Sequence, residues 1–440
     1  MQLLIQQISG RVSERYAVYS PRQIVPMEMK RIAIIGAGIS GLSIAHMLRK
    51  ENEVTIYEAE DTIGGLIRCE RVNGSLFHTC GGHIFNTKRQ EVLDWLWNYF
   101  DKEKEFRLAE RNSVIFMPNG QELPYPIENY IYLLPEDKQK AIIQDLLSLS
   151  KEDQENCSNF GQFLQKRFGQ TLYETYFKPY NEKIWQSDLS TVPLDWLDGK
   201  LPMPKVEEIL YNNFNHVVER QFVHSTFYYE KEGGSQFIVD RLLEGLDIRV
   251  STPITSLRYE KPYWFVCDEQ YDAVVFCGNI RYLPEIVEGI DMQQWKKPIS
   301  DLQFHGTTTV FCELDQNPYS WIYLPDSSCK AHRIICTGNF APSNNANGHF
   351  TGTIEFTDEI SEEEIKRQLA KIPLHPQYIT HRYHPCTYPI QDQDTRAMLQ
   401  SFKKSMVRQR LYMTGRFVDW EYYNMDAAIY AAMQTARMIN

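Results

Sequence analysis

Gly36, Gly38 and Gly41 stand at GxGxxG spacing after the aliphatic run Arg31-Ile32-Ala33-Ile34-Ile35. Leu42, Ala45 and Leu48 follow at helical spacing, and Glu53-Val54-Thr55-Ile56-Tyr57-Glu58 reads as a second strand closed by an acid. In a strand–turn–helix–strand unit those glycines let backbone N–H groups approach a pyrophosphate. Ser40 sits at the helix start, where the dipole favours phosphate, and Glu58 can accept from ribose hydroxyls. A tight structural turn is the bland alternative, and the strand–helix–strand context outweighs it. Gly64-Gly65 comes soon after the acid, a spacing that admits a bulky cofactor such as a flavin. For Cys80-Gly81-Gly82-His83 two readings stand side by side: a satisfied core histidine, or a ring nitrogen at the cofactor. Near the C-terminus, a strand at Leu411-Tyr412-Met413 meets Gly415-Arg416, and Asn424-Met425-Asp426 opens a last helix. A strand, glycine turn and helix start of this kind can also hold a cofactor's polar chain. Tyr176-Phe177-Lys178-Pro179-Tyr180-Asn181-Glu182-Lys183-Ile184-Trp185 is dense in rings and cations around a helix-breaking Pro, and suits a sugar or phosphate site.

The elements that must position these groups can be read from periodicity. Ala141, Ile142, Leu146 and Leu149, then Phe160, Phe163, Leu164 and Phe168, then Val206, Ile209, Leu210 and Val217 form three helical stripes. Gly233-Gly234 precedes a helix with Phe237, Ile238, Leu242 and Leu243, and Ile248-Arg249-Val250, Trp264-Phe265-Val266 and Ala273-Val274-Val275-Phe276 read as strands. Short strands at Thr309-Val310-Phe311, Trp321-Ile322-Tyr323-Leu324, Arg333-Ile334-Ile335-Cys336 and Gly352-Thr353-Ile354-Glu355-Phe356 predict a mostly antiparallel sheet. Ser361 followed by Glu364 opens an amphipathic helix as a capping box.

Composition sets limits. The 440 residues are 43% hydrophobic and 23% charged, enough for two or three domains with a large core. Lys and Arg number 46 against 57 Asp and Glu, a net charge of −11, which argues against nucleic-acid or anionic-lipid partners. An anionic substrate therefore needs a local basic pocket. Nine scattered cysteines without a CxxC pair suit a reducing, cytoplasmic setting, and no apolar run reaches membrane-span length. No ligand spacing supports a metal, since His381-Arg382-Tyr383-His384 lacks a carboxylate or thiol. Residues 1–29 read as a leader or loosely packed arm, or as an upstream extension before an alternative start.

Taken together, Gly81-Gly82-His83-Ile84-Phe85, Leu123-Pro124-Tyr125-Pro126-Ile127, Lys178 to Trp185, Trp321-Ile322-Tyr323-Leu324-Pro325 and Gly415 to Tyr422 make the chain resemble the UDP-galactopyranose mutases. The likeness runs from Lys30 to the C-terminus. It implies an α/β fold with three parts: a discontinuous Rossmann-like FAD-binding domain, a helical domain, and an antiparallel sheet domain of six strands. The corresponding division is FAD-binding at 30–110, 219–295 and 395–440, sheet at 111–135 and 296–394, and helical at 136–218. It also implies an isomerase that interconverts the pyranose and furanose forms of a nucleotide sugar. FAD would act in its reduced form, through a covalent adduct between flavin N5 and the sugar.

The resemblance assigns roles residue by residue. Arg333 is the first cation for the departing diphosphate, and Lys178 stands where the family has a second arginine. His83 lies beside the flavin ring. Tyr388 and Tyr422 donate to phosphates, Tyr323 lies near the diphosphate or sugar, and Tyr180, Asn181 and Trp185 line the substrate site. Phe340 replaces a further family tyrosine. Cofactor contacts fall to Gly36, Gly38, Ser40, Gly41, Glu58, Gly64, Gly65, Gly82, Gly415, Arg416, Asn424, Met425 and Asp426. The expected substrate is UDP-galactose or a related nucleotide hexose; the Lys178 and Phe340 departures both touch the expected diphosphate cradle and so point away from UDP-galactose itself, towards a related nucleotide hexose or amino sugar. Expected partners are the nucleotide sugar and a flavin reductant, with self-association left open. The alternative is an FAD-dependent amine oxidase or desaturase, which needs an apolar or amine-selective pocket in place of the phosphate cluster.

Overall fold

The structure, a computed structural model, describes residues 29–149, 157–194, 204–217, 226–346 and 348–440. All but the last residue of the 1–29 leader lies outside the described residues. The first aliphatic run is a strand, Lys30–Ile35, at the centre of a five-stranded sheet. Its neighbours are Asn52–Tyr57 and Ala273–Phe276, with Asp247–Arg249 and Leu411–Met413 at the edges, and every pairing is parallel. Such a sheet must be covered on both faces, and it is. Ile32 and Ile34 pack with Leu42, Ala45 and Leu48 of helix Ile39–Leu48, and with Ile429 and Ala432 of helix Met425–Ile439. Ala33, Ile35, Val274 and Phe276 face the opposite way, against Leu257, Trp264 and Phe402. Three stretches far apart in sequence thus build one dinucleotide-type unit, with its loops at the carboxyl edge of the strands.

The second sheet has seven strands, one more than the resemblance implies, in the order Gln377–Ile390, Gln303–Leu314, Phe350–Thr357, Arg333–Ile335, Trp321–Tyr323, Ser113–Phe116 and Glu122–Pro124. It is antiparallel except where Trp321–Tyr323 runs parallel to Ser113–Phe116. Ile115, Tyr323, Arg333 and Glu355 are register partners across four adjacent strands, so their side chains emerge side by side on one face.

The helical stretch contains Glu136–Ser148, Phe160–Phe168, Lys178–Trp185 and Val206–Phe214, closing one core through Ile142, Leu146, Phe160, Leu164, Phe168 and Ile209. Pro179 does not break the helix, contrary to expectation. It sits in the first turn of Lys178–Trp185, just after a π-helical turn at Tyr173–Phe177, where an absent N–H forfeits nothing. Ser361 caps Glu362–Leu369 by accepting from the Glu364 N–H at 3.3 Å.

One buried acid lies outside any expected site. Glu230, in strand Thr226–Glu230, is fully buried, and neither oxygen reaches a donor on another residue. Burial pushes its carboxyl up from 4.5 to about 8. Between those values the native state holds a proton that the unfolded chain releases, so this group lowers stability as pH rises from 4.5 towards 8. Glu230→Gln is therefore expected to raise stability at pH 8 by on the order of 1–3 kcal/mol and to flatten that pH dependence. Denaturant midpoints at pH 5 and pH 8 check this; an unchanged pH slope in the variant contradicts it.

Candidate functional site

The loops at the carboxyl edge of the parallel sheet enclose a cavity of about 610 Å³. Gly36, Gly38, Ser40, Glu58, Gly64, Gly65, His83, Arg416, Asn424 and Met425, all expected at a cofactor, line it. Gly41 serves the turn instead: a Cβ there would fall 1.9 Å from the Gly36 carbonyl oxygen, so helix and turn can meet only at glycine. A Cβ on Gly38 would meet nothing within 4 Å, leaving room for a ligand against the backbone. Glu58 accepts from the N–H groups of Ala37 at 2.7 Å and Glu60 at 3.0 Å, which fixes its carboxylate on the wall. Helices Ile39–Leu48 and Met425–Ile439 both begin at this cavity without a side-chain cap, so their first N–H groups are available.

Other expected cofactor residues stand behind the wall. Gly82 allows strand Arg333–Ile335 to approach, because a Cβ would lie 2.6 Å from the Ile335 side chain. Gly415, at φ +122°, brings its loop against Ser40. Asp426 does not line the cavity; it pairs with Arg89 at 3.4 Å. Thr252, Pro253, Ile254, Thr255 and Tyr282 also line the cavity and were not foreseen. Their one signal was position, since Thr252 follows strand Asp247–Arg249, at whose carboxyl end ligands gather in such sheets.

Arg416 and His83 line the same cavity. Arg416 donates to the Thr387 carbonyl at 3.1 Å and to the Tyr423 carbonyl at 2.8 Å. No carboxylate among the described residues pairs with it. His83 Nε2 is buried without a hydrogen-bond partner. Burial, then the Arg416 charge, pushes the imidazole down to about 4, so it is neutral at pH 7.

Beyond Arg416 a band of rings leads away from the cavity. Its guanidinium lies 4.2 Å over the Tyr422 ring, and Tyr422 stacks on Tyr388 with centroids 5.4 Å apart. The Tyr388 hydroxyl accepts from Arg333 Nη2 at 3.2 Å. Arg333 and Tyr388 are both near enough to act electrostatically on Tyr180, which meets Tyr323 edge-on at 5.5 Å. Burial raises the Tyr180 and Tyr388 hydroxyls well above the usual tyrosine range, keeping them as donors.

Glu355 holds this band together, and sequence reasoning passed it over. It is 1% exposed; Oε2 accepts from Arg333 Nε, and Oε1 accepts from the Gly81 N–H at 2.9 Å. Burial would raise its carboxyl, but the Arg333 charge prevails and holds it well below the usual carboxylate range. His332 Nε2 lies 3.3 Å away, yet burial keeps that imidazole below its ordinary value, so Arg333 is the counter-charge.

Lys178 stays apart from this group: its ammonium is half-exposed and 4.0 Å from Glu182. The lysine of the same segment that the fold uses is Lys183, buried, with Nζ donating to the Leu324 carbonyl at 2.6 Å and the Ala331 carbonyl at 3.0 Å. Those two carbonyls flank the connection between the strands of Tyr323 and Arg333. Burial lowers the Lys183 ammonium to about 8. Asn181 donates to the Phe177 carbonyl of its own helix at 2.7 Å. Trp185 borders a different hollow of about 910 Å³, and its carbonyl accepts from His305 Nε2 at 2.9 Å. Phe340 is fully buried among Trp321, Phe227 and Tyr229, where a hydroxyl would need a partner.

Residues 34–102 match the family described as NAD(P)-binding Rossmann-like domain. A UDP-galactopyranose mutase of Mycoplasma genitalium is 22% identical over 96% of this chain and 98% of its own length. A dTDP-fucopyranose mutase of Escherichia coli is 23% identical over 93% of this chain and 98% of its own. The resemblance to the UDP-galactopyranose mutase family holds over nearly the whole chain. A crystal structure of reduced UDP-galactopyranose mutase superposes with a TM-score of 0.82, at 20% identity, covering 93% of this chain and 95% of that one. The mutase likeness therefore extends to the fold, from parallel sheet to separate helical and antiparallel regions. The fold is shared more widely: a structure described as a protoporphyrinogen oxidase from Exiguobacterium sp. 255-15 reaches 0.73 at 16% identity, over 94% of this chain and 99% of that one. Among the described residues, no helix is long and apolar enough to cross a membrane.

Glu355→Gln leaves Arg333 buried without its counter-charge, and a loss of about 3 kcal/mol is expected. In a double-mutant cycle, Arg333→Met added to Glu355→Gln should cost much less than Arg333→Met alone. Additive effects would mean that the two groups are not coupled.

Proposed function

We propose that the protein is an FAD-dependent mutase interconverting the pyranose and furanose forms of a nucleotide sugar, UDP-galactose or a related nucleoside diphosphate hexose. The reading rests on the unbroken run from the cavity wall to Arg333 through Arg416, Tyr422 and Tyr388. It puts a fork-shaped cation and tyrosine hydroxyls, the donors a diphosphate requires, next to a dinucleotide cavity.

The residues present fit FAD. The cavity lies within the range of about 300–1,000 Å³ of ligand pockets, two uncapped helix starts suit its pyrophosphate, and Glu58 suits a ribose. His83 Nε2, with no hydrogen-bond partner among the described residues, and Arg416, with no carboxylate partner among them, suit a polar group of the cofactor. Reduced FAD, when bound, supplies an electron-rich ring nitrogen able to attack an anomeric carbon, with no net redox change.

The protein groups then do the following. Arg333, held by Glu355 through Nε and donating to Tyr388 through Nη2, keeps Nη1 for the phosphate oxygens as charge develops on the departing diphosphate. The Tyr388 hydroxyl accepts from Arg333, so its own proton is free to be donated to a phosphate oxygen. Tyr422, stacked on Tyr388, adds a second hydroxyl, and Tyr180 with Tyr323 closes the far side. Neutral His83 borders the cofactor without adding charge.

Two experiments test this. Gly38→Val should fold normally and purify without flavin absorbance, because the new side chain enters open cavity space; full flavin content would place the cofactor elsewhere. Chemically reduced protein should convert UDP-galactopyranose, or another nucleoside diphosphate hexose, into a furanose resolved by chromatography, and the oxidised protein should not. Arg333→Lys should lower kcat/KM by about 30- to 1,000-fold through the lost fork. Failure with every nucleotide hexose tried, together with steady oxygen uptake on an amine, would establish the oxidase alternative.

A further inference from the structure

We infer that Arg111 is the second cation of the diphosphate cradle, the place that the family resemblance had given to Lys178. The assignment rests on the function proposed above. Arg111 precedes strand Ser113–Phe116, on the far side of Tyr323 from Arg333. Its guanidinium lies 4.8 Å from the centre of the Trp321 ring and 5.7 Å from that of Tyr125, so its plane is fixed by aromatic faces. Nε donates to Ser113 Oγ at 2.8 Å and Nη2 to the Tyr323 hydroxyl at 2.5 Å. No carboxylate among the described residues neutralises it, and Nη1 has no hydrogen-bond partner among them. Lys178, by contrast, has Glu182 beside it.

The arrangement repeats that of Arg333. In each case a guanidinium donates to a tyrosine hydroxyl, Arg333 to Tyr388 and Arg111 to Tyr323, leaving that hydroxyl's proton free for an anion. The two pairs are adjacent, because Tyr323 and Arg333 are direct register partners. Two Arg–Tyr pairs side by side match two phosphoryl groups in sequence. The Arg333–Tyr388 pair lies toward Arg416 and the cavity, so it takes the phosphoryl group attached to the sugar. Arg111–Tyr323 takes the one attached to the nucleoside.

Titrations of the flavin-loaded protein with uridine, UMP and UDP, and with thymidine, TMP and TDP, test this order. Arg111→Gln should weaken UMP and UDP (or TMP and TDP) alike, on the order of ten- to a hundredfold, and leave the nucleoside unchanged. Arg111→Lys should fall between. Arg333→Gln should instead weaken the diphosphate and spare the monophosphate, and Lys178→Ala should stay within about twofold of wild type for all ligands. Equal losses for nucleoside and nucleotides in Arg111→Gln, or lost flavin absorbance, would mean a packing role and overturn the assignment. Wild-type affinity in Arg111→Gln, with Lys178→Ala impaired, returns the role to Lys178. If the wild type binds none of the six ligands, the functional reading itself fails and this inference with it.

Discussion

Glu355 is a carboxylate removed from water in the middle of the seven-stranded sheet, and it stays ionised there only because Arg333 and the Gly81 amide meet its two oxygens. Each oxygen serves a different element. One fixes the strand bearing Arg333; the other fixes the glycine loop whose His83 reaches the cavity. Moving either element would leave a charge or a donor buried and unmatched, so the cofactor wall and the proposed cradle share one geometry. There is an electrostatic consequence. Arg333 and Glu355 together are close to neutral, so Arg333 offers directed donors more than net charge. In a chain of net charge −11, attraction for an anion must come from cations without counter-charges. Arg416 and Arg111, each held by neutral oxygens and rings, are such groups.

Register explains why these residues meet. Tyr323, Arg333 and Glu355 belong to three strands with more than thirty residues between first and last, and only cross-strand pairing makes them neighbours. Lys183 tightens the same unit from the helical side by donating to the carbonyls of Leu324 and Ala331. One turn earlier on that helix, Tyr180 meets Tyr323. The helix therefore contributes a ring to the band and a clamp to the hairpin through residues three positions apart.

Local spacing was enough to bring the glycine-turn residues together, because glycine turns and helix starts act through their own backbone. Gly36, Gly38, Ser40, Glu58, Gly64 and Gly65 line one cavity. Asp426 also stands at a helix start, but its side chain turned to Arg89, a partner 337 positions away that no local pattern reveals. Glu355 and Arg111 were invisible for the same reason: one looks like a strand residue among threonines, the other like a loop arginine. Choosing between Lys178 and Lys183 required the helix phase, and the sequence suggested that Pro179 would interrupt it. The π turn before Lys178 and the first-turn position of the proline keep the phase intact instead.

A fold shared with an oxidase does not select between hydride removal and ring isomerisation; the charges outside the cavity do. An amine substrate is cationic at neutral pH and would approach Arg416 and Arg111, neither of which has a carboxylate among the described residues to offset it. Like charges in a partly buried site repel by more than in water, because the local dielectric is low. The same two guanidinium groups favour an anion, and the proposed donors Arg333 and Arg111 stand to either side of Tyr323, one on a neighbouring strand and the other just before the opposite one. Buried, protonated Tyr180 and Tyr388 add donors that an oxidisable amine has no use for and that an anion does. The sign of charge along this band, more than the Rossmann-like scaffold beneath it, is therefore what favours the proposed anionic substrate over an amine in this chain.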